Sequence, residues 1–311
     1  METFSVTILG SSSAAPTSQR HTSGQLVNFY HRLYLIDCGE GIQMQLRRNH
    51  IKLSKIHHIF ISHLHGDHFF GLVGLISSVN LFGRKKDLHI YTDPRLQEII
   101  ELQLEISESQ LQFKIIYHAL NFEQKALLFE DKKLEIHSYP LDHRIPTCGF
   151  LFQEKQSAPN VLKEPINKYK IGIDDIKQIQ KGKDYCTSDE EIIPNKNLIK
   201  EAPKARSFAY CSDTKYHQKL QDFFPNVELL YAECTFMKDF QEVADNKYHM
   251  TTQDVARLAL EVKANRLIVG HFSARYKDLG PMKEELKQLF MESELVYENK
   301  EYHIREEVET N

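Results

Sequence analysis

The sequence lacks the features on which secreted, disulfide-rich and membrane-spanning proteins depend. Its 311 residues include five cysteines with no CxxC pair, and this odd number favours reduced thiols that serve as packing residues. No apolar run approaches the roughly 18 residues that cross a membrane. The first ten residues, METFSVTILG, contain no basic leader followed by an apolar core. We therefore expect a cytoplasmic protein with no membrane partner.

The chain also lacks an excess of positive charge and any internal repeat. Its formal net charge is −4 and its pI is near 6.5. These values argue against a general nucleic-acid binder, because neutralising phosphates requires a basic face. With 41% hydrophobic and 26% charged residues, the composition is typical of a globular protein with one large domain or two smaller ones.

One segment, at about residues 154–206, differs from the rest in composition. It contains four prolines, and between residues 163 and 183 six lysines outnumber three acidic residues. One interpretation is a mobile arm that grips a phosphate backbone, and the other is a solvated insertion with a short helix near residues 174–181. The lysines are Lys163, Lys168, Lys170, Lys177, Lys181 and Lys183.

The most informative stretch is HHIFISHLHGDH, residues 57–68. An apolar run that indicates a strand, Ile59 to Ile61, is followed by four side chains within six positions that can bind a metal. Spacings of two cannot place the first three on one face of a helix, so we predict a tight loop that turns at Gly66. The four side chains are His63, His65, Asp67 and His68.

Strand and helix patterns alternate along the chain, and other acidic and histidine residues follow predicted strands or lie in adjoining loops. Because strand ends can meet at one edge of a sheet, we expect these side chains to converge there. They are His143, Asp213, Glu233, His249 and His271. Asp37 also follows a strand, but capping of the next helix is a competing explanation for it.

These side chains suit a two-metal hydrolase, in which each ion has three protein ligands and shares a carboxylate with the other. Imidazole-rich ligation favours Zn²⁺, although Mn²⁺ can occupy sites of mixed nitrogen and oxygen ligands. We expect no organic cofactor. The assignment that fills both sites is His63, His65 and His143 on one ion, Asp67, His68 and His271 on the other, and Asp213 between them.

The motif SHLHGDH resembles the HxHxDH signature of the metallo-β-lactamase superfamily. Further segments resemble those of ribonuclease Z, the tRNA 3′-processing endonuclease, and their order and spacing cover nearly the whole chain. These segments are LIDCGEGIQMQL, PLDHRIPTCGF, YCSDT, AECTF and VGHFSARY.

The resemblance implies an α/β (α+β) fold, the four-layer αββα sandwich of the metallo-β-lactamase fold, as a single domain over residues 1–311. It implies an inserted flexible arm at about 154–206 and two Zn²⁺ per subunit. It also implies a homodimer in which the arm of one subunit holds precursor tRNA for the active site of the other.

The implied reaction removes the 3′ trailer from precursor tRNA after the discriminator nucleotide and leaves a 3′-hydroxyl on the tRNA and a 5′-phosphate on the trailer. In the matching motifs, Asp67 is both a metal ligand and a proton acceptor. Glu233 and His249 correspond to a pair that protonates the leaving 3′ oxygen.

Two segments depart from the family's pattern. The arm stretch KYKIGIDDIKQIQKGKDY keeps its lysines but has no Gly-Pro pair, which many short members carry there. The first loop, SSSAAPTSQRHTSG, has serines where glycine and threonine are common in the family's substrate loop.

Two other functions compete with tRNA processing. One is a hydrolase of the same superfamily that acts on a small phosphodiester, thioester or sulfate ester, and the basic insertion at 154–206 argues against it. The other is a non-catalytic RNA-binding module with a structural metal. Seven ligands with a shared carboxylate exceed what a structural metal requires.

Overall fold

The chain forms a mixed α/β structure, which a computed structural model describes for residues 3–305. The strands are β1 (Phe4–Gly10), β2 (Gly24–Phe29), β3 (Arg32–Ile36), β4 (Ile56–Phe60), β5 (Leu88–Thr92), β6 (Ile115–Ala119), β7 (Ala126–Glu130), β8 (Leu134–Leu141), β9 (Thr147–Glu154), β10 (Asn160–Val161), β11 (Tyr185–Cys186), β12 (Ile192–Ile193), β13 (Ile199–Lys200), β14 (Ser207–Cys211), β15 (Leu229–Glu233), β16 (Arg266–Gly270), β17 (Ser293–Leu295) and β18 (Glu301–His303). The α-helices are α1 (Ile42–Arg48), α2 (Gly66–Phe69), α3 (Leu72–Leu81), α4 (Arg95–Ile106), α5 (Lys163–Tyr169), α6 (Ile173–Ile179), α7 (Gln241–Lys247), α8 (Thr252–Glu261) and α9 (Gly280–Leu289).

Two seven-stranded sheets form the centre of the structure. The first has the order β18-β1-β2-β3-β4-β5-β6, and its strands β3 to β6 are parallel. The second has the order β17-β16-β15-β14-β9-β8-β7, and its strands β14 to β17 are parallel. Every residue of β14 and β15 is buried, as expected for parallel strands covered on both faces.

Aromatic side chains fill the space between the two sheets. The ring of Phe60 in the first sheet lies 5.5 Å from that of Phe150 and 5.7 Å from that of Phe152 in the second sheet. Tyr34 also contacts Phe152, at 5.8 Å between ring centroids in an edge-to-face arrangement. Contacts of this kind add to the free energy gained by burying the rings.

Helices cover the outer faces of both sheets. On the first sheet, α1 and α3 bury Ile42, Leu46 and Leu75 in a cluster with apolar residues of β3 to β5. On the second sheet, α8 packs on β15 and β16. The helix α8 begins with a capping box, in which Thr251 and Asp254 each bond the other's backbone N–H. The αββα sandwich is therefore confirmed.

The chain divides into two compact units. The larger contains residues 1–129, 135–152 and 206–311. Of these, the structure describes residues 3–129, 135–152 and 206–305. The smaller contains residues 130–134 and 153–205, with α5, α6 and two two-stranded sheets. It has its own apolar cluster, formed by Ile171, Ile179, Ile193 and Leu198. The organisation of residues 1–311 as a single domain with a flexible arm at about 154–206 stays a prediction.

The described residues contain no helix whose length and apolar character would allow it to cross a membrane. The five cysteines are free thiols, and four of them are buried as predicted. Cys186 is exposed, so the prediction that all five are packing residues is wrong for this one.

Candidate metal centre

The side chains predicted to bind metal come together in the structure. Most of them follow the carboxyl ends of parallel strands of both sheets, where the chain leaves β4, β14 and β16, whereas His143 follows β8. Their nitrogen and oxygen atoms form clusters in which all the contributing atoms lie within 4.8 Å of one another. The first cluster is His63, His65, His143 and Asp213, and the second is Asp67, His68 and His271; a third group, Asp213, His249 and His271, shares one residue with each of them.

The local structure around Gly66 differs from the prediction. Residues Gly66–Phe69 form the short helix α2 rather than a tight loop, so Asp67 and His68 lie on its first turns while His63 and His65 precede it. Gly66 has no left-handed backbone conformation, and a Cβ there would meet the Phe70 ring at 2.2 Å. The close approach of the Phe70 ring, and not a sharp turn, therefore explains why a glycine fits at position 66.

The ring nitrogens of the three histidines of the first cluster face one another. His63 Nε2 lies 3.0 Å from His65 Nδ1, and His143 Nε2 lies 3.2 Å from the same atom. The Nδ1–H of His143 donates to the carbonyl oxygen of Tyr248 at 2.9 Å, which leaves its Nε2 as a lone pair. The Nδ1 of His63 is likewise 3.0 Å from Ser62 Oγ.

Ring nitrogens that face each other at these distances need either a proton or a cation between them. Ligands at 2.0–2.1 Å from a tetrahedral Zn²⁺ are about 3.3 Å apart. Asp213 Oδ2 lies 3.7 Å from His63 Nε2 and 3.9 Å from His143 Nε2, which completes a fourth corner. The first cluster thus has the donor atoms and the spacing of a metal site.

The second cluster is built around His68 and His271. His68 Nε2 lies 3.5 Å from Asp67 Oδ2 and 3.6 Å from Asp213 Oδ2. His271 Nε2 lies 3.3 Å from Asp67 Oδ2 and 3.4 Å from Asp213 Oδ1. Asp213 therefore faces both clusters, and its buried Oδ1 accepts no hydrogen bond from the described residues. A buried carboxylate oxygen of this kind suits a cation as its partner.

The protonation states also suit a cation. Burial lowers the pKa of His63, His65 and His143, so these imidazoles are neutral donors. Although burial raises the pKa of Asp213, His271 and His68 hold it well below the usual range. Burial lowers the pKa of His68, but the surrounding carboxylates raise it well above its ordinary value. The second cluster therefore favours positive charge.

Asp37 supports this cluster and does not cap a helix. Its Oδ2 lies 2.8 Å from His68 Nδ1 and accepts from Tyr210 Oη at 2.6 Å, while its Oδ1 accepts from the Ser62 amide at 2.7 Å. The helix α1 instead begins after Gly41, with no side-chain cap. Of the two explanations for Asp37, capping is wrong. Hydrogen bonds of this kind fix the orientation of a metal-binding imidazole.

Glu233 and His249 form a hydrogen-bonded pair beside the clusters. His249 Nδ1 lies 3.0 Å from Glu233 Oε1, which also accepts from the Met250 amide at 2.9 Å. Glu233 Oε2 accepts from the amide and the hydroxyl of Thr235. Burial lowers the pKa of His249, but the Glu233 carboxylate raises it, and the net value is about 8. His249 is therefore a cation at neutral pH.

A cavity of about 610 Å³ opens over both clusters. Its wall includes His65, Asp67 and His249, and it also includes two exposed cations, Arg144 and Lys247. A phosphodiester in this cavity would meet positive charge at its rim and the metal clusters at its base.

The comparisons with known proteins agree with this geometry. A curated ribonuclease Z from Bacteroides thetaiotaomicron is 40% identical over 299 residues, which are 96% of this chain and 95% of that protein. The chain belongs to the ribonuclease Z family. The family described as Anti-Pycsar protein Apyc1 also matches residues 4–157, slightly under half of the chain.

Solved structures of the same fold cover nearly all of the chain. The crystal structure of the short form of human tRNase Z has a TM-score of 0.72 and 26% identity, and the match covers 97% of this chain and 99% of that one. The metallo-β-lactamase fold protein YhfI from Bacillus subtilis has a TM-score of 0.67 at 19% identity, covering 97% and 99%. The second likeness concerns the fold alone.

Three hydroxyl residues that contact the site residues of this ribonuclease Z family member were not predicted from the sequence. Ser62 contacts His63, and Tyr210 donates to Asp37. Thr235 Oγ1 donates to Glu233 Oε2 at 2.8 Å and lies 3.0 Å from His271 Nδ1. Their position in the sequence could have indicated them, because each lies within three residues of a predicted site residue.

We expect Asp37→Asn to weaken metal binding by about 10- to 100-fold, because an amide replaces one of the oxygens that hold His68, Ser62 and Tyr210. Metal content after equilibration with a graded series of chelator concentrations measures this change. Asp222→Asn, at an exposed position, is the matched control and should bind metal as the unmodified protein does. Equal metal retention by the two variants would contradict the supporting role of Asp37.

Proposed function

We propose that the protein is a zinc-dependent endoribonuclease that removes the 3′ trailer from precursor tRNA after the discriminator nucleotide. The products are a tRNA with a 3′-hydroxyl and a trailer with a 5′-phosphate. The observation that carries the proposal is the near-complete match to a curated ribonuclease Z, in a chain that also has the two metal clusters. A tRNA-processing role fits a cytoplasmic location.

The proposed metal ligands are the seven side chains of the two clusters, with Zn²⁺ as the metal and Mn²⁺ as a substitute. When bound, a pair of such ions activates water and stabilises negative charge on a phosphoryl oxygen. The ligands are His63, His65 and His143 for one ion, Asp67, His68 and His271 for the other, and Asp213 for both.

The chain's own residues supply the proton transfers. Asp67, whose carboxylate lines the cavity, accepts a proton from the attacking water. His249, which carries a proton at neutral pH, donates it to the leaving 3′ oxygen. Glu233 accepts four hydrogen bonds that fix its position, so it keeps the His249 ring oriented and charged. Arg144 and Lys247 attract the phosphodiester to the cavity.

The reaction is tested with a precursor tRNA transcript and mapping of the product ends. We expect Asp67→Ala to abolish cleavage, because it removes both a metal ligand and the proton acceptor. His249→Ala should lower kcat by about 10²- to 10⁴-fold through loss of general acid catalysis, with metal content unchanged.

The control for these variants is His303→Ala, which alters an exposed histidine of β18 and should leave cleavage intact. Full cleavage by Asp67→Ala would contradict the mechanism. If the unmodified protein hydrolysed a small phosphodiester but no precursor tRNA, the competing small-substrate hydrolase would be correct instead.

The smaller unit supplies the proposed contact with the body of the tRNA. Its six lysines between residues 163 and 183 are all exposed, and they lie on or next to α5 and α6. Lys177 pairs with Asp174 at 2.8 Å across one helical turn, a weak interaction at the surface. We propose that these lysines contact the phosphate backbone and that the unit acts as the flexible arm.

We expect the triple change of Lys168, Lys181 and Lys183 to Glu to raise KM for precursor tRNA and to flatten its salt dependence. Each lost phosphate contact should lower the slope of log KM against log salt by up to about 0.9. Hydrolysis of bis(p-nitrophenyl) phosphate should continue at the unmodified rate. The matched control reverses three exposed lysines of the larger unit, Lys52, Lys219 and Lys263. Equal effects of the two triple changes would argue against an arm.

We also propose that the protein is a homodimer. Exposed apolar side chains lie on neighbouring helices: Met44 on α1 is 56% exposed, Leu81 on α3 is 83% exposed, and Phe82 after α3 is 63% exposed. A hydrogen bond from Gln43 to Ser78 joins the two helices, and the Arg47 guanidinium lies 5.2 Å from the Phe82 ring. A second copy of the chain would cover this apolar face.

We expect the double change of Leu81 and Phe82 to Glu to shift the protein from dimer to monomer, because it places like charges in an isologous interface. Light scattering after size-exclusion chromatography measures the mass. The double change of Leu127 and Leu260 to Glu alters exposed leucines on other elements and serves as the control. A monomeric mass for the unmodified protein would show that the homodimer proposal is wrong.

A further inference from the structure

Glu298 lies where the chain passes from the second sheet to the first. It is located between β17 and β18, and backbone hydrogen bonds hold both sides of it. The Val296 amide donates to the carbonyl oxygen of Val269 in β16 at 2.9 Å, and the Asn299 amide donates to that of Ile8 in β1 at 2.7 Å. The Glu298 backbone is therefore fixed to both sheets.

The side chain of Glu298 binds the β1–β2 loop, residues 11–23. Its Oε1 accepts from the amides of Ser11 at 3.1 Å and His21 at 2.8 Å, and from Ser11 Oγ at 3.1 Å. Its Oε2 lies 2.8 Å from His21 Nδ1 and accepts from Gln45 Nε2 at 3.2 Å. The side chain is 11% exposed, so these contacts are largely sheltered from water.

These hydrogen bonds close the base of the β1–β2 loop. Ser11 and His21 are the points where the loop leaves the sheet and returns, and the Ser11 and Ser12 amides also donate to the carbonyl oxygen of His21. A carboxylate that accepts several hydrogen bonds at one place restricts both arms of a loop together. The loop between these points has fewer rotational states as a result.

The tip of the same loop reaches the metal clusters. The Ala14 amide donates to Asp67 Oδ2 at 2.8 Å, and residues 13–16 line the cavity over the clusters. Ala14 has a φ of 62°, a left-handed conformation that is unfavourable for a residue other than glycine. A loop with a free base would relax this conformation and move the amide away from Asp67.

We propose that Glu298 is a positioning residue: by clamping the base of the β1–β2 loop it holds the loop tip against Asp67 and shapes the cavity for a large RNA substrate. It does not touch the reacting atoms. The part of this inference that concerns RNA rests on the proposed function, whereas the clamp itself rests on the contacts alone.

Hydrogen–deuterium exchange followed by mass spectrometry tests the clamp without any substrate. Peptides covering residues 11–23 should exchange at least about tenfold faster in Glu298→Ala than in the unmodified protein, because the loop opens locally. Peptides from β14 to β16 should exchange as before. Glu298→Gln keeps one oxygen acceptor and should give an intermediate rate.

Steady-state kinetics on two substrates tests the consequence. For Glu298→Ala, kcat/KM for a precursor tRNA transcript should fall about tenfold further than kcat/KM for bis(p-nitrophenyl) phosphate. A small displacement of the loop tip lowers the rate more for the larger substrate, because more contacts must be aligned with it. Glu298→Gln should recover part of the loss. Metal content, measured on the same samples, should stay constant.

Glu301→Ala is the matched control, because Glu301 lies three residues away on β18 and accepts from Ser5 Oγ of β1, which is outside the loop. It should match the unmodified protein in both measurements. Unchanged exchange of residues 11–23 in both Glu298 variants, or equal losses on the two substrates, would overturn the proposal. If the unmodified protein cleaved no precursor tRNA, the proposed function would fail, and the exchange rates would still decide the clamp.

Discussion

The carboxylate of Asp213 imposes the main requirement on this fold, because it is buried between two groups of imidazoles and faces both. An ionised carboxylate at such a depth is unfavourable unless cationic partners surround it. The structure meets this requirement with parallel strands from two sheets, whose ends direct His63 and His271 to the same carboxylate. A metal cluster of this composition therefore depends on the packing of both sheets, and not on one motif.

Support for the imidazoles comes from a shell of hydroxyl and carboxylate groups. Asp37, Ser62 and Thr235 each contact the Nδ1 edge of a histidine whose Nε2 faces the clusters. The backbones of Asp37 and His271 have φ values of 55° and 59°, which are uncommon for residues other than glycine. Conformations of this kind persist where surrounding packing fixes them, and both residues are buried in the core of the site.

Much of the site could be predicted from the sequence because its residues obey a simple pattern: each ligand candidate follows a run of apolar residues or lies in an adjoining loop. The spacing of apolar residues in helix α4 and the continuous apolar run in strand β16 are sequence signals of the same kind. The role of Asp37 needed the structure, because the sequence placed it equally well at a helix start. Ser62 and Thr235 are common residue types, and only their position beside the predicted site residues distinguishes them in the sequence from solvated hydroxyls.

Contacts between distant parts of the chain could not be predicted from the sequence. Glu298 is separated from His21 by 277 positions, and nothing in the local pattern of either residue indicates the other. The two meet because β18 returns to pair with β1, so the segment that precedes β18 lies beside the loop that follows β1. This strand pairing also links the sheets through residues 296–300. The base of the β1–β2 loop is bonded at that junction, and its tip contacts Asp67 in a site built from both sheets.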